Sequence, residues 1–215
     1  MAGPVVASLE DCLVREEDLA LLQPGNWLND QIVGFYFELC QHRKFAGQGI
    51  AFVGPEVTQF AKVAAAEEVA VCLGPLELDN KAAVMWAVNN SRELDTPGGS
   101  HWSLLVFSRR ELAFYHLDSS AGMNRGEAAA LAARVQRVVG APRAGVAEVE
   151  VAQQTNGSDC GVHLLLAAAA CAEHLGAGGG VASLPPLGRA QVEGGRRGID
   201  KEIKAVGCGA VIIYM

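Results

Sequence analysis

No two cysteines in this chain form a CxxC pair, and none of its five histidines clusters with them. That excludes the ligand spacing of structural zinc sites. No apolar stretch reaches the ~20 residues of a membrane span, and "LLLAAAAC" is too short and too rich in alanine to serve as one. The opening "MAGPVVASLEDC" lacks a basic region followed by an apolar core, so no secretory leader is expected. Positive charge is scarce: 17 Lys and Arg face 24 Asp and Glu, for a formal net charge of −7. A nucleic-acid-binding domain would show basic patches instead. From these absences we expect a protein of the reducing cytoplasm or nucleus. It should hold no metal and no cofactor, and contact neither membrane nor nucleic acid. Its thiols (Cys12, Cys40, Cys72, Cys160, Cys171 and Cys208) should be free.

What is present is enough for a core. Half of the 215 residues are hydrophobic and 19% are charged, which suits one folded domain. Residues 5–9 read as a short strand and 15–22 as an acidic helix start. "PGN" breaks the chain before a helical pattern over 27–42. Helices are predicted over 54–63, 66–73 and 125–140. Strands are predicted over 82–89, 101–107, 112–118 and 145–152. Residues 160–175 form the most hydrophobic helix, and "GAGGG" stops it. Beyond residue 176 the pattern weakens. This mixture implies an α+β fold.

The segment "QQTNGSDCG" sets a polar run and Cys160 against the start of that helix. Attack by cysteine requires a thiolate, and a helix N-terminus or a nearby imidazolium lowers a thiol pKa. Asp159 is a suitable cap, and Gly161 permits a close backbone approach. The other five cysteines read as ordinary small hydrophobes. The imidazole must come from His42, His101, His116, His163 or His174. If "SRRE" is a four-residue hairpin loop, Phe107 opposes Leu112, and His101 then opposes Asp118 on the same face. A carboxylate in that place would fix the ring tautomer and stabilise its charged form. His116 points to the same face and is the rival, although a satisfied strand histidine is the better reading of it. For an oxyanion, Gln154 can supply a side-chain amide and Cys160 its backbone N–H, with Gln153 as the alternative.

Four fragments in order, "NWLND", "GGSHWSLLVF", "FYHLDSS" and "QQTNGSDCG", resemble motifs of the Ulp/SENP family of ubiquitin-like-protein cysteine proteases. "PVVASLEDCLVREEDLALLQPGNWLNDQIVGFYFE" and "FVGPEVTQF" are most similar to its deneddylase branch, as is the short sequence ahead of them. The resemblance implies a papain-like fold of the Ulp/adenain type, with a central mixed sheet and a nucleophile-bearing helix. It implies a His101–Asp118–Cys160 triad with Gln154 at the oxyanion hole. Trp27 and Trp102 would roof a tunnel for a Gly-Gly tail, and Asp30 would contact that tail or a basic residue beside it. The implied reaction is cleavage after the Gly-Gly of a Nedd/Rub-type modifier, by a monomer acting on precursors or on conjugates such as cullins. A desumoylase, an inactive binder of ubiquitin-like proteins and an acyltransferase are the alternatives. The catalytic domain is expected over residues 1–176, extending to about 206 through an echo of a closing basic helix at "RRGIDKEIKAV". Residues 207–215 would be an atypical apolar tail. The loop over 89–100 is expected to hinge at Gly98 and Gly99 and close over the bound modifier.

Overall fold

The computed structural model describes residues 3–91, 93 and 98–207. Residues 208–215 of the expected apolar tail, Cys208 among them, and residues 92 and 94–97 of the expected closing loop therefore lie outside the described residues. Strands β1 (Val5–Leu9) and β2 (Cys12–Arg15) form a hairpin, and Glu10 at its turn has φ +49°. Helices α1 (Glu16–Ala20) and α2 (Asp30–Leu39) follow. Asn29 caps α2 by accepting from the Ile32 amide at 3.1 Å, so the helix begins later than its apolar pattern. Strand β3 (Ile50–Val53) leads to α3 (Pro55–Val63) and α4 (Ala66–Leu73).

Strands β4 (Ala83–Asn89), β5 (Trp102–Ser108) and β6 (Ala113–Leu117) come next. Then follow α5 (Arg125–Val135), β7 (Val146–Val149), α6 (Cys160–Gly176) and α7 (Arg189–Val206). The main sheet has the order β3-β4-β5-β6-β7; its outer pairs are parallel and its inner pairs antiparallel. The α+β class with a central mixed sheet is as expected.

The sheet is buried on both faces, because alternate residues of each inner strand are apolar in both directions. Ala83, Met85 and Ala87 of β4 join a core shared with α2, α6 and α7, whereas Val84, Trp86 and Val88 join one shared with α3, α4 and α5. Strands β2 and β3 were not expected. Each has only four residues, too few to show a period. The expected helix over 125–140 ends at Val135, and turns occupy the rest.

Helix α7, 18 residues of mostly polar sequence, contains the closing basic helix implied at 196–206 but begins earlier, at Arg189. Its few apolar side chains form a narrow stripe, with Ile199 and Ile203 fully buried. The stripe packs on α6, α2 and β1. Replacing Ile203 by Ala should lower the unfolding free energy by about 2–4 kcal/mol, with an unchanged denaturant slope. A loss below about 0.5 kcal/mol would make α7 a peripheral addition.

Candidate active site

Three elements converge on one corner of the sheet. His101 immediately precedes β5, Asp118 immediately follows β6, and Cys160 is the first residue of α6. All three side chains are at most 4% exposed. The hairpin register differs from the sequence expectation. Leu104 pairs with Leu117 and Ser108 with Ala113, so the turn spans Arg109–Leu112, and Ser103 rather than His101 is level with Asp118. Leu112 takes up the left-handed conformation, at φ +51°. This is a slip of two residues, which preserves the face because side chains alternate with period two. His101 therefore reaches Asp118 diagonally, with Nε2 2.5 Å from Oδ1.

Asp118 is held from behind as well. The Ser120 amide donates to Oδ1 at 2.9 Å and the Asn124 amide to Oδ2 at 3.0 Å. Burial alone would raise this carboxyl, but the His101 bond and the two amides outweigh it and hold it below the ordinary range. Burial likewise works against the His101 cation, yet Asp118 and the Cys160 sulfur raise its pKa to about 9. Burial would raise the Cys160 thiol, but His101 and the Trp102 and Gly161 amides lower it below its ordinary value. The contrast with Cys171 is direct: burial without such partners pushes that thiol up to about 12. The two shifts thus favour a thiolate opposite an imidazolium.

Asp159 stands at the N-cap position of α6, but its side chain does not cap the helix as expected. Its carboxylate is engaged by Arg196 and by Asn156 Nδ2 instead. Asn156 Oδ1 accepts from the Ser158 and Asp159 amides at 2.9 and 3.0 Å and shapes the loop that enters the helix. With Asp159 drawn aside, the Gly161 amide serves the sulfur. Gly161 itself marks a close approach, since a Cβ there would lie 2.9 Å from Leu28 Cβ.

Trp27, Leu28, Asp30, Ser100, Trp102 and Cys160 are among the residues lining a cavity of about 360 Å³. Trp102 is buried and donates from Nε1 to the Leu28 carbonyl at 3.0 Å. Trp27 is 51% exposed and donates to the Gly157 carbonyl at 2.7 Å. Asp30 is raised by partial burial and then by Glu56, so this end of the cavity is acidic. Gly98 and Gly99 also line the cavity. Gly99 has φ +86°, and a Cβ there would overlap Asn89 Oδ1. Packing as well as conformational freedom thus demands glycine at that position.

Of the residues expected at the site, Gln154 stands apart. Its Oε1 accepts from Ser119 Oγ at 2.8 Å, its Nε2 donates to the Asn156 carbonyl at 2.7 Å, and it does not line the cavity. Gln153 braces the Asp118 loop by donating to the Asp118 carbonyl at 3.0 Å. His116 lies one step behind Asp118 and is saturated, with Nε2 on Ser103 Oγ at 2.9 Å and Nδ1 on Glu148 at 3.1 Å. It is the satisfied strand histidine.

Asn124 escaped the sequence reading. It is fully buried, and its Nδ2 lies 3.2 Å from the Val88 and His101 carbonyls and 3.0 Å from Ser103 Oγ. Through its own amide on Asp118 it ties both ends of the His101–Asp118 pair to the sheet. It stands at the N-cap position of α5, but its side chain does not cap that helix.

A thiolate, an imidazolium and an orienting carboxylate beside an aromatic-walled cavity are the equipment of a cysteine protease. The chain matches the model of the Ulp1 protease family, C-terminal catalytic domain, over residues 94–204. It is 38% identical over 167 residues to Sentrin-specific protease 8 of Homo sapiens, covering 75% of this chain and 78% of that protein. It is 32% identical over 177 residues to NEDD8-specific protease 1 of Arabidopsis thaliana, covering 81% and 78%. The chain belongs to the Ulp1 protease family and is a cysteine protease. The solved C-terminal Ulp1 protease domain in complex with Smt3, the yeast ortholog of SUMO, shares the fold. It superposes with a TM-score of 0.75 at 15% identity, covering 96% of this chain and 89% of that one.

The charge pair sets a pH window. It exists from the depressed thiol pKa of Cys160 up to the raised His101 pKa of about 9. Alkylation of the Cys160 peptide by iodoacetamide, followed by mass spectrometry, should show a pH midpoint below the ordinary thiol value of 9.0. In His101→Ala the midpoint should rise to the ordinary thiol value of 9.0 or above. An unmoved midpoint would mean that His101 does not stabilise the thiolate.

Proposed function

We propose that the chain is a thiol isopeptidase that cleaves after the C-terminal Gly-Gly of a Nedd/Rub-type ubiquitin-like modifier, releasing it from conjugates and maturing its precursor. The observation that carries this reading is the buried thiolate–imidazolium pair opening onto the cavity between Trp27 and Trp102. The names borne by relatives of 38% and 32% identity support the choice of modifier. Such conjugates include cullins, met by a monomer in the cytoplasm or nucleus. The catalytic unit runs through α7.

In this reading Cys160 Sγ attacks the carbonyl carbon of the last glycine. Charge develops on the carbonyl oxygen, which the Cys160 amide and Gln154 Nε2 receive once Nε2 exchanges its bond to the Asn156 carbonyl for the oxyanion. His101 gives its proton to the departing lysine amine, leaving a thioester on Cys160. Neutral His101 then takes a proton from water, and the hydroxide equivalent cleaves the thioester and restores the thiolate. Asp118 keeps the ring in one tautomer and supports its cation throughout. Trp27 and Trp102 select a tail without side chains, while Asp30, with Glu56 nearby, meets a basic residue next to it.

Tail-linked fluorogenic Nedd/Rub, SUMO and ubiquitin substrates test the reading directly. The Nedd/Rub substrate should be cleaved fastest; a SUMO preference would make the enzyme a desumoylase. Cys160→Ala should abolish turnover while retaining modifier binding, and a variant that keeps most of its turnover would remove Cys160 from the mechanism.

The tail itself offers a second test. A modifier ending in Gly-Ala should be cleaved about 10- to 100-fold more slowly than one ending in Gly-Gly, because its methyl group meets the indole walls. Equal rates would rule out a closed channel.

A further inference from the structure

The segment bearing Trp27 has little secondary structure of its own between α1 and α2, yet it forms one wall of the cavity. What holds it comes from the far end of the chain. Arg196, in the first half of α7, is buried, with a side chain 10% exposed. Its guanidinium has five N–H donors, and five acceptors surround it. Nη1 donates to the carbonyls of Leu21 at 2.9 Å and Gln23 at 3.1 Å. Nη2 donates to the carbonyls of Asn26 at 2.7 Å and Ser158 at 3.0 Å. Nε donates to Asp159 Oδ1 at 2.8 Å.

Three of these acceptors belong to the chain leading into Trp27, and two belong to the loop leading into Cys160. Arg196 sits between the wall and the nucleophile loop and bonds to both. Its own helix is pressed close to α6: a Cβ on Gly195 would lie 2.7 Å from Val162 Cγ1 and 2.8 Å from Leu166 Cδ1.

We propose that Arg196 is a positioning residue that fixes the Trp27 wall at its distance from Cys160 and thereby sets affinity for the substrate tail. It acts on the wall and not on the charge state of the thiol, because the groups that stabilise the thiolate are His101 and the Trp102 and Gly161 amides. The proposal rests on the reading of Trp27 as a wall of the tail channel.

Arg196→Lys separates these roles. The ammonium still neutralises Asp159, but three donors on a flexible stem cannot serve five acceptors spread around a planar fork. The variant should raise KM for the fluorogenic Gly-Gly substrate about tenfold and change kcat by no more than about threefold. The pH midpoint of Cys160 alkylation should stay where it is in the wild type. Backbone hydrogen exchange over residues 20–28 should accelerate, since the amides of Leu21, Leu22, Gln23 and Asn26 donate to the nearby carbonyls of Asp18, Leu19, Ala20 and Gln23.

Wild-type KM with wild-type exchange would overturn the proposal. So would a shifted thiol midpoint with unchanged KM, which would place Arg196 in control of the nucleophile. If Arg196→Lys does not fold, Gly195→Ala carries the test. That variant keeps the guanidinium but pushes α7 away from α6, and it should give the same pattern more weakly; unchanged KM and exchange would count against the brace. Exchange and alkylation need no turnover, so a wild-type enzyme that cleaves none of the three modifiers would sink the functional reading and leave the brace still measurable.

Discussion

A thiolate and an imidazolium placed face to face, almost wholly out of water, are expensive to desolvate, and the mutual attraction of such a pair offsets this only when further hydrogen bonds complete it. The architecture around Cys160 and His101 supplies those bonds. The Trp102 amide at the start of β5 and the Gly161 amide in the first turn of α6 serve the sulfur. Asp118 serves the ring, and two loop amides serve Asp118 in turn. None of these groups can move without leaving a buried charge short of a partner. The sheet corner is therefore built around the pair, and the same interactions that make it tolerable make it reactive.

That corner is anchored to the sheet by a second layer of polar groups. Asn124 joins the end of β4, the His101 carbonyl and Ser103, while Ser103 also meets His116, which continues to Glu148 on β7. Four strands thus contribute to one network. In a low-dielectric interior such bonds are strong, and among the described residues only Asn124 Oδ1 in this network lacks a partner. The network explains why the chain invests buried polar residues on a sheet otherwise apolar on both faces.

The opposite wall of the cavity depends on elements far apart in the chain. Gly161 lets α6 approach Leu28, Trp102 holds the Leu28 carbonyl, Trp27 holds the Gly157 carbonyl, and Arg196 joins both loops from α7. The N-terminal segment, the nucleophile loop and the C-terminal helix act as one unit at the site. Helix α7 is accordingly a structural part of the active centre rather than an appendage.

Much of this was legible in the residues themselves. Period-two and period-3.6 patterns located every strand but β2 and β3 and every α-helix but α7. The order of His101, Asp118 and Cys160, each beside a strand or helix end, marked three groups that the fold does bring together, because alternation in a hairpin survives a register slip of two. Trp27, Asp30 and Trp102, which the resemblance singled out, do line one cavity beside Cys160. What local pattern could not reveal was which polar atoms meet across the fold. Asp159 looked like a cap until Arg196 claimed its carboxylate, and Gln154 looked free until Asn156 and Ser119 engaged it. Asn124 and Arg196 lie in polar stretches with no period to mark them. The sequence alone determined the kind of chemistry, since a nucleophile, base and orienting acid are defined by residue type and local setting. The tertiary structure alone decided their protonation and the shape of the cavity, since both depend on donors brought from distant segments into a space that excludes water.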